Sequence, residues 1–211
     1  MTQMAAAAGS AHAIERPRVT SRKLAVWLFL GSEVLFFSAL ILGSVALRVT
    51  SSSWPTHSQI AHVLNIPLTA FNTFVLIVSS LTVVLALDAA EKGRRRRMLG
   101  LLVATLALGT LFLSIQGYEY RLLWSEGLRL TSVPQQAMSG ADGMFGSTFY
   151  AMTGFHGMHV LGGVLTLLVV VAKALRGYYT KASHEGVELF GLYWHFVDVV
   201  WIVLFTVVYL I

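Results

Sequence analysis

The sequence contains no cysteine and few charged residues. Without cysteine, the chain can form neither a disulfide bond nor a thiolate metal site. Only 12% of its 211 residues are Asp, Glu, Lys or Arg, whereas a soluble domain has about 25%. Because 56% of the residues are hydrophobic, the composition predicts a membrane protein with one domain.

The sequence also lacks the short motifs of several enzyme classes. It has no Gly-x-Ser-x-Gly nucleophile elbow, no phosphate-binding loop and no dinucleotide fingerprint. Each of these motifs places a reactive or phosphate-binding group on a defined turn. Their absence leaves nucleophilic catalysis with little support.

Five long apolar segments dominate the chain, and each is long enough to cross a bilayer as a helix. Asn65 and Pro67 predict the start of the second helix, and Gly127 the end of the third. We therefore predict an all-α fold, a polytopic membrane protein built as a five-transmembrane-helix bundle. Residues 1–23 are predicted to be a poorly ordered cytoplasmic tail, and residues 24–211 the membrane domain. The predicted spans are residues 24–47, 66–87, 98–125, 146–172 and 187–211.

The basic residues are distributed unevenly between the two ends of the predicted bundle. With five spans, the two termini lie on opposite sides of the membrane. Twelve Lys and Arg residues fall on the side of the N-terminus and three on the other side. The positive-inside rule then predicts a cytoplasmic N-terminus and a C-terminus outside. The arginine run at residues 94–97 is interpreted as a topology anchor, so nucleic acid is not an expected partner.

Five carboxyl and imidazole side chains lie deep inside the predicted spans, where an unpartnered charge is costly. Residues three apart share one face of a helix, so both histidines of the fourth span face one way, as do the histidine and aspartate of the fifth. We predict that the five residues form an intramembrane polar network. They are Glu33, His156, His159, His195 and Asp198.

Depth along the helices predicts which of these side chains meet. At 1.5 Å per residue, Glu33 and His195 lie about 13 and 12 Å from the same end of the bundle. Glu33 is therefore predicted to lie within direct or water-bridged reach of His195. The carboxyl of Asp198 is predicted to have a polar partner on the fourth span, such as His159.

Three interpretations of this polar set stay open from spacing alone. Paired histidines with an acid resemble the inward ligands of a di-metal bundle, and paired membrane histidines can hold haem. The same groups could relay protons. They could also form interhelical hydrogen bonds that fix the packing.

Several motifs occur in the order known from one family. They are similar to motifs of subunit III of the haem–copper respiratory oxidases, the cytochrome c and quinol oxidases. The resemblance extends from residue 31 nearly to the end of the chain. The motifs are Ser-Glu-Val-Leu-Phe-Phe at 32–37, Pro67-Leu68 with Asn72-Thr73, Gln116 with Glu119-Tyr120, Gly-Ser-Thr-Phe-Tyr at 146–150, Thr-Gly-Phe-His-Gly-Met-His-Val at 153–160 and Tyr-Trp-His-Phe-Val-Asp-Val-Val-Trp at 193–201.

The resemblance implies a five-helix bacterial form in the cytoplasmic (inner) membrane. It implies a non-catalytic accessory subunit of a proton-pumping terminal oxidase that reduces O2 to water. Such a subunit has no catalytic, cofactor-binding or metal-binding residues of its own, because haem and copper belong to subunits I and II. The resemblance also implies that the subunit supports proton uptake and stability during turnover.

The expected partners follow from the same resemblance. Subunit I is the main contact, with subunit II and small subunits as further neighbours, and structural phospholipids bind to the chain. Cytochrome c or quinol supplies electrons to the complex. Two alternatives stay open: a helper of a nitric oxide reductase, and a solitary membrane channel or transporter.

Overall fold

The computed structural model describes residues 20–141 and 143–211. The tail predicted for residues 1–23 therefore lies mostly outside the described residues. Its last residues belong to the first helix instead. Thr20 is the N-cap, and its hydroxyl accepts a hydrogen bond from the backbone nitrogen of Lys23 at 3.2 Å. A threonine cap satisfies a free amide of the first turn, so the helix begins before residue 24.

The described residues contain helices and two isolated β-bridges but no strand. Five of the helices are long and apolar enough to cross a membrane, which confirms the predicted all-α, five-span fold. The helices extend the predicted bounds of the spans by a few residues. They are α1 (Ser21–Thr50), α2 (His57–Val63), α3 (Ile66–Glu91), α4 (Arg95–Glu126), α5 (Met144–Leu175) and α6 (Glu185–Phe205), which continues into a π-helical turn, Thr206–Leu210.

The predicted helix ends at Asn65 and Gly127 are confirmed. The side-chain oxygen of Asn65 accepts a hydrogen bond from the backbone nitrogen of Leu68 at 3.1 Å, and Pro67 occupies the first turn of α3. Gly127 closes α4 with φ 96°, a left-handed conformation that favours glycine. Local sequence therefore determines both ends.

The short helix α2 lies in the connection between the predicted spans 24–47 and 66–87. Gln59 accepts a hydrogen bond from the backbone nitrogen of Thr56 at 2.8 Å and so caps its start. Ile60 and Val63 are buried beneath the helix. Seven residues are too few to show a helical period in the sequence, and burial of these two side chains stabilises the helix.

The helices α3 to α6 form a packed bundle, and α1 lies at its side. α3 packs against α4 and α6, and α5 packs against α4 and α6. α1 makes its main contacts with α5 and α6, and it buries only Phe37 and Ser44. Most of the surface of α1 is therefore left to lipid or to another chain.

The indole of Trp194 fills the centre of the bundle. It is fully buried and lies between α4 and α5 at two glycines. A Cβ atom built on Gly109 would lie 2.8 Å from the indole, and one built on Gly163 would lie 2.6 Å from it. Glycine at these positions allows the neighbouring helices to approach α6 closely.

Candidate functional site

Glu33 and His159 are in hydrogen-bonding contact between α1 and α5. Oε2 of Glu33 lies 3.0 Å from Nε2 of His159, and the two side chains are 17% and 19% exposed. The other ring nitrogen, Nδ1, lies 2.8 Å from the carbonyl oxygen of Phe155, one turn earlier on α5. The contact therefore holds the imidazole in a fixed orientation at the edge of the bundle.

The two contacts of His159 indicate where its hydrogens lie. A carbonyl oxygen only accepts, so Nδ1 of His159 must carry a hydrogen. A hydrogen bond between Nε2 and Oε2 then requires one proton, on the imidazole or on the carboxyl of Glu33. In both arrangements the pair has no net charge, which suits its position in the membrane.

A second polar group joins α3 to α6. The hydroxyl of Ser80 lies 2.5 Å from Nδ1 of His195. Asp198 is buried beside Ser80 and His195, and its Oδ1 has no hydrogen-bond partner among the described residues. The histidine and aspartate of the fifth span therefore face α3, not α5.

Two tryptophans of α6 extend this contact along α3. Nε1 of Trp194 donates a hydrogen bond to the hydroxyl of Ser79 at 2.9 Å. Nε1 of Trp201 donates to the hydroxyl of Thr73, also at 2.9 Å. Hydroxyls on α3 thus satisfy both buried indoles and fix the rotation of α6 against α3.

His156 lies apart from both polar groups. It is fully buried, and neither of its ring nitrogens has a hydrogen-bond partner within the described residues. Its ring stacks on that of Trp201, with centroids 4.7 Å apart, and Phe112 meets it edge-on at 6.0 Å. The observed contacts of His156 are therefore aromatic.

The direct partners that the structure shows differ from the predicted ones. Glu33 bonds directly to His159, and the direct partner of His195 is Ser80. Asp198 lies beside Ser80 and His195, not beside His159. Depth along a helix places a side chain in a layer, whereas the rotation of the helix decides which neighbour it faces. The rotation here follows from packing around Trp194 and Trp201.

A buried carboxyl that the sequence analysis did not include in the network lies near the other end of the bundle. Glu119 is 2% exposed. One of its oxygens accepts a hydrogen bond from the hydroxyl of Thr69 at 2.7 Å and one from the hydroxyl of Tyr209 at 3.3 Å. It connects α3, α4 and the C-terminal π-helical turn. Its burial could have been inferred from its spacing, because Glu119 follows Gln116 by three residues on the same face of α4.

Gln116 forms the next polar contact along α4. Its amide donates a hydrogen bond to the carbonyl oxygen of Thr153 at 3.0 Å. The hydroxyl of Thr153 lies 2.6 Å from that of Tyr120. This contact joins α4 to α5 beside Gly157, where a Cβ atom would lie 3.0 Å from the Gln116 side chain.

The ionisable groups do not converge on a metal-sized site. Within residues 20–141 and 143–211, no group of three or more His, Asp or Glu side chains could hold a metal ion. His156 and His159 diverge, because one faces the core and the other faces α1. The arrangement can hold and exchange a proton at Glu33–His159, and elsewhere it supplies interhelical hydrogen bonds.

Known proteins resemble this chain over nearly its whole length. The sequence model of the family described as cytochrome c oxidase subunit III matches residues 10–211. A probable cytochrome c oxidase subunit 3 of Mycobacterium leprae is 36% identical over 201 residues, covering 95% of this chain and 92% of the relative. Cytochrome c oxidase subunit 3 of Thermostichus vulcanus is 38% identical over 201 residues, covering 95% and 91%.

A third relative matches this chain over a smaller share of its own length. Cytochrome c oxidase subunit 3 of Hippopotamus amphibius is 36% identical over 188 residues, which cover 86% of this chain and 66% of the relative. The five spans, the order of the motifs and these similarities agree. The chain belongs to the cytochrome c oxidase subunit III family, and it is a multi-pass membrane protein.

Proposed function

We propose that the chain is a non-catalytic accessory subunit of a proton-pumping terminal oxidase that reduces O2 to water. It packs on subunit I, with subunit II and small subunits nearby, and it binds phospholipid. Haem and copper lie in subunits I and II, and cytochrome c or quinol supplies the electrons. The complex lies in the bacterial cytoplasmic membrane, with the basic end of this bundle inside. Membership of the subunit III family supports this assignment.

The exposed apolar surface of α1 supports a role as a subunit that packs against lipid and a partner chain. Leu28, Leu35 and Leu42 are 68%, 73% and 67% exposed in the single chain. Only lipid or another apolar chain can cover such a surface in a membrane protein. A subunit that binds lipid and packs on a larger partner would bury it.

The single observation that carries the proposed role in proton uptake is the Glu33–His159 pair. Its two side chains are 17% and 19% exposed at the edge of the bundle, and a shared proton could lie on Nε2 or on Oε2. The pair can therefore accept or release that proton without rearrangement of the buried core. The chemistry supports proton uptake by a neighbouring subunit and requires no redox centre in this chain.

Substitution of Glu33 by glutamine tests this role in the assembled complex. The amide keeps the size of the side chain and removes the exchangeable proton. We expect Glu33→Gln to assemble normally, to lower the initial rate of O2 consumption less than about threefold and to shorten the time before activity is lost during turnover. Glu126→Gln, at the exposed end of α4, is the matched control.

Two results would contradict the proposal. A complete block of O2 reduction by Glu33→Gln would make the residue catalytic. Equal turnover lifetimes for the wild type, Glu33→Gln and Glu126→Gln would show that the exchangeable proton of Glu33 has no role in the function. The rate and the lifetime are both measured with an oxygen electrode on the purified complex.

A further inference from the structure

The outward face of α6 carries an imidazole among apolar side chains. His195 is partly exposed there. Val199 and Ile202, four and seven residues later, lie on the same face of the helix and are exposed. On the adjoining helix α3, Ile77 and Val84 are also exposed, one turn before and one turn after the serine that meets His195. The described part of the chain therefore leaves an apolar surface with a polar ring uncovered.

The two helices that pack on α6 border this surface. Ser80 of α3 contacts His195 on one side. On the other side, the ring of Phe37 of α1 lies 6.4 Å from that of Phe196. The exposed side chains of α6 thus form the floor of a surface between α1 and α3.

One ring nitrogen of His195 has a partner and the other does not. Nδ1 lies 2.5 Å from the hydroxyl of Ser80. Within residues 20–141 and 143–211, Nε2 forms no hydrogen bond, and it is not enclosed by the bundle. A neutral imidazole has one donor and one acceptor nitrogen, so Nε2 presents either a hydrogen or a lone pair at the surface.

Other outward-facing polar groups of the spans are satisfied by their own helix. The exposed hydroxyls of Thr110, Ser114 and Thr166 each donate to the carbonyl oxygen four residues earlier, at 2.8 Å. These groups need nothing from a neighbour. Nε2 of His195 has no such bond, so its partner has to come from outside the chain.

The depth of His195 decides what kind of partner can reach it. It lies ten residues after Glu185, the first residue of α6, which is about 15 Å along the helix axis. That is near the middle of a hydrocarbon core about 30 Å thick. Lipid headgroups lie at the two surfaces of the bilayer, and acyl chains offer no hydrogen-bond partner. The remaining candidate is a polypeptide segment that crosses the membrane.

The outer face of α1 has a different chemistry. Its exposed side chains at Leu28, Leu35 and Leu42 are apolar, so acyl chains can cover them without leaving a polar group unpaired. The surface at His195 is therefore better suited to a protein neighbour than the outer face of α1.

We propose that the face of α6 at His195 is a docking surface for a transmembrane helix of another subunit. That helix is apolar and presents a hydroxyl or carboxamide side chain to Nε2. Such a side chain both donates and accepts, so it pairs with either tautomer of the imidazole, and it brings no charge into the bilayer. The inference rests on the proposed function, because it requires a complex, and it names the surface and the chemistry of one contact.

Photo-cross-linking in the native membrane identifies the neighbour. Val199, which is 59% exposed one turn from His195, is replaced by benzoylphenylalanine. The same replacement of Leu165, exposed on α5, is the control for labelling at any outward apolar position. After irradiation the complex is purified through a tag on this chain, and the cross-linked peptides and lipids are identified by mass spectrometry.

We expect residue 199 to cross-link to an apolar transmembrane segment of a different polypeptide that contains Ser, Thr, Asn or Gln. Lipid adducts alone at residue 199, or a cross-link to a second copy of this chain, would overturn the proposal. Equal cross-linking of residues 165 and 199 to the same segment would also overturn it, since the surface at His195 would not be selected.

Two substitutions separate docking from packing within the chain. In His195→Gln the amide extends to the position of Nε2, whereas in His195→Asn it extends only to that of Nδ1, near Ser80. The wild type and both variants are purified in mild detergent, and the amount of the cross-linked neighbour per chain is measured without irradiation.

We expect His195→Gln to retain the neighbour and His195→Asn to retain about threefold less, because it loses one interhelical hydrogen bond in the membrane. Equal retention by the two variants would overturn the proposal. The absorption spectrum of the wild-type preparation scores the haem partner separately. Absence of haem, with residue 199 still cross-linked to another transmembrane polypeptide, would contradict the proposed function alone.

Discussion

Gly163 of α5 lies against the indole of Trp194 of α6, so that a Cβ atom at residue 163 would be 2.6 Å from that ring. The indole is fully buried, and its nitrogen donates to Ser79 of α3. One side chain therefore contacts three helices at once. The position of α6 depends on the absence of a side chain at residue 163.

Substitution of Gly163 by alanine should destabilise the bundle. The added methyl group cannot fit unless Trp194 moves, and overpacking of this kind costs about 1–3 kcal/mol. We expect Gly163→Ala to lower the thermal unfolding midpoint of the detergent-solubilised protein, measured by circular dichroism. Gly31→Ala is the control, because a Cβ atom at Gly31 meets no atom within 4 Å. An equal midpoint for the two variants would contradict this packing.

Removal of the Glu119 carboxyl should weaken the contact between α3, α4 and the C-terminal turn. In Glu119→Ala the hydroxyl of Tyr209 loses its carboxylate acceptor, and that of Thr69 keeps only the carbonyl oxygen of Asn65. Loss of the acceptor of a buried donor costs about 1–3 kcal/mol. We expect a lower unfolding midpoint and faster proteolysis near Tyr209. Glu126→Ala, on an exposed turn of the same helix, should change neither quantity. Proteolysis at the same rate in both variants would show that Glu119 does not hold the turn.

His156 and His195 should respond differently to replacement by phenylalanine. Among the described residues the ring nitrogens of His156 have no hydrogen-bond partner, so a ring of similar shape should change the free energy of unfolding by less than about 1.5 kcal/mol. His195→Phe leaves the hydroxyl of Ser80 and the nearby carboxyl of Asp198 without their neighbour, which costs about 1–3 kcal/mol. Chemical unfolding of the two variants compares these costs. A larger loss for His156→Phe would show that its ring nitrogens have polar partners.

The spans and their ends could be predicted from the sequence because they depend on local properties. Apolar length sets a membrane helix, and the caps at Asn65 and Gly127 act within one turn of their own helix. The polar side chains of α1, α5 and α6 could also be identified, since an ionisable residue in an apolar run is conspicuous. These features do not depend on how the helices rotate about their axes.

The partners of those side chains could not be predicted, because they depend on rotation. Glu33 and His195 lie at similar depths, but α1 turns Glu33 toward His159 and α6 turns His195 toward Ser80. Glu119 was not predicted to belong to the polar network because it lies beyond the apolar part of its span. The structure shows that Glu119 is buried, because the C-terminal π-helical turn places Tyr209 against it.

The most direct test of the account is purification of the affinity-tagged chain from its own membrane in mild detergent, followed by an absorption spectrum, metal analysis and identification of the accompanying proteins. We expect a haem-bearing subunit I to elute with the chain, and the chain to contain no stoichiometric iron or copper after it is separated from that partner. Iron or copper bound to the separated chain, or elution of the chain without any haem protein, would contradict the account.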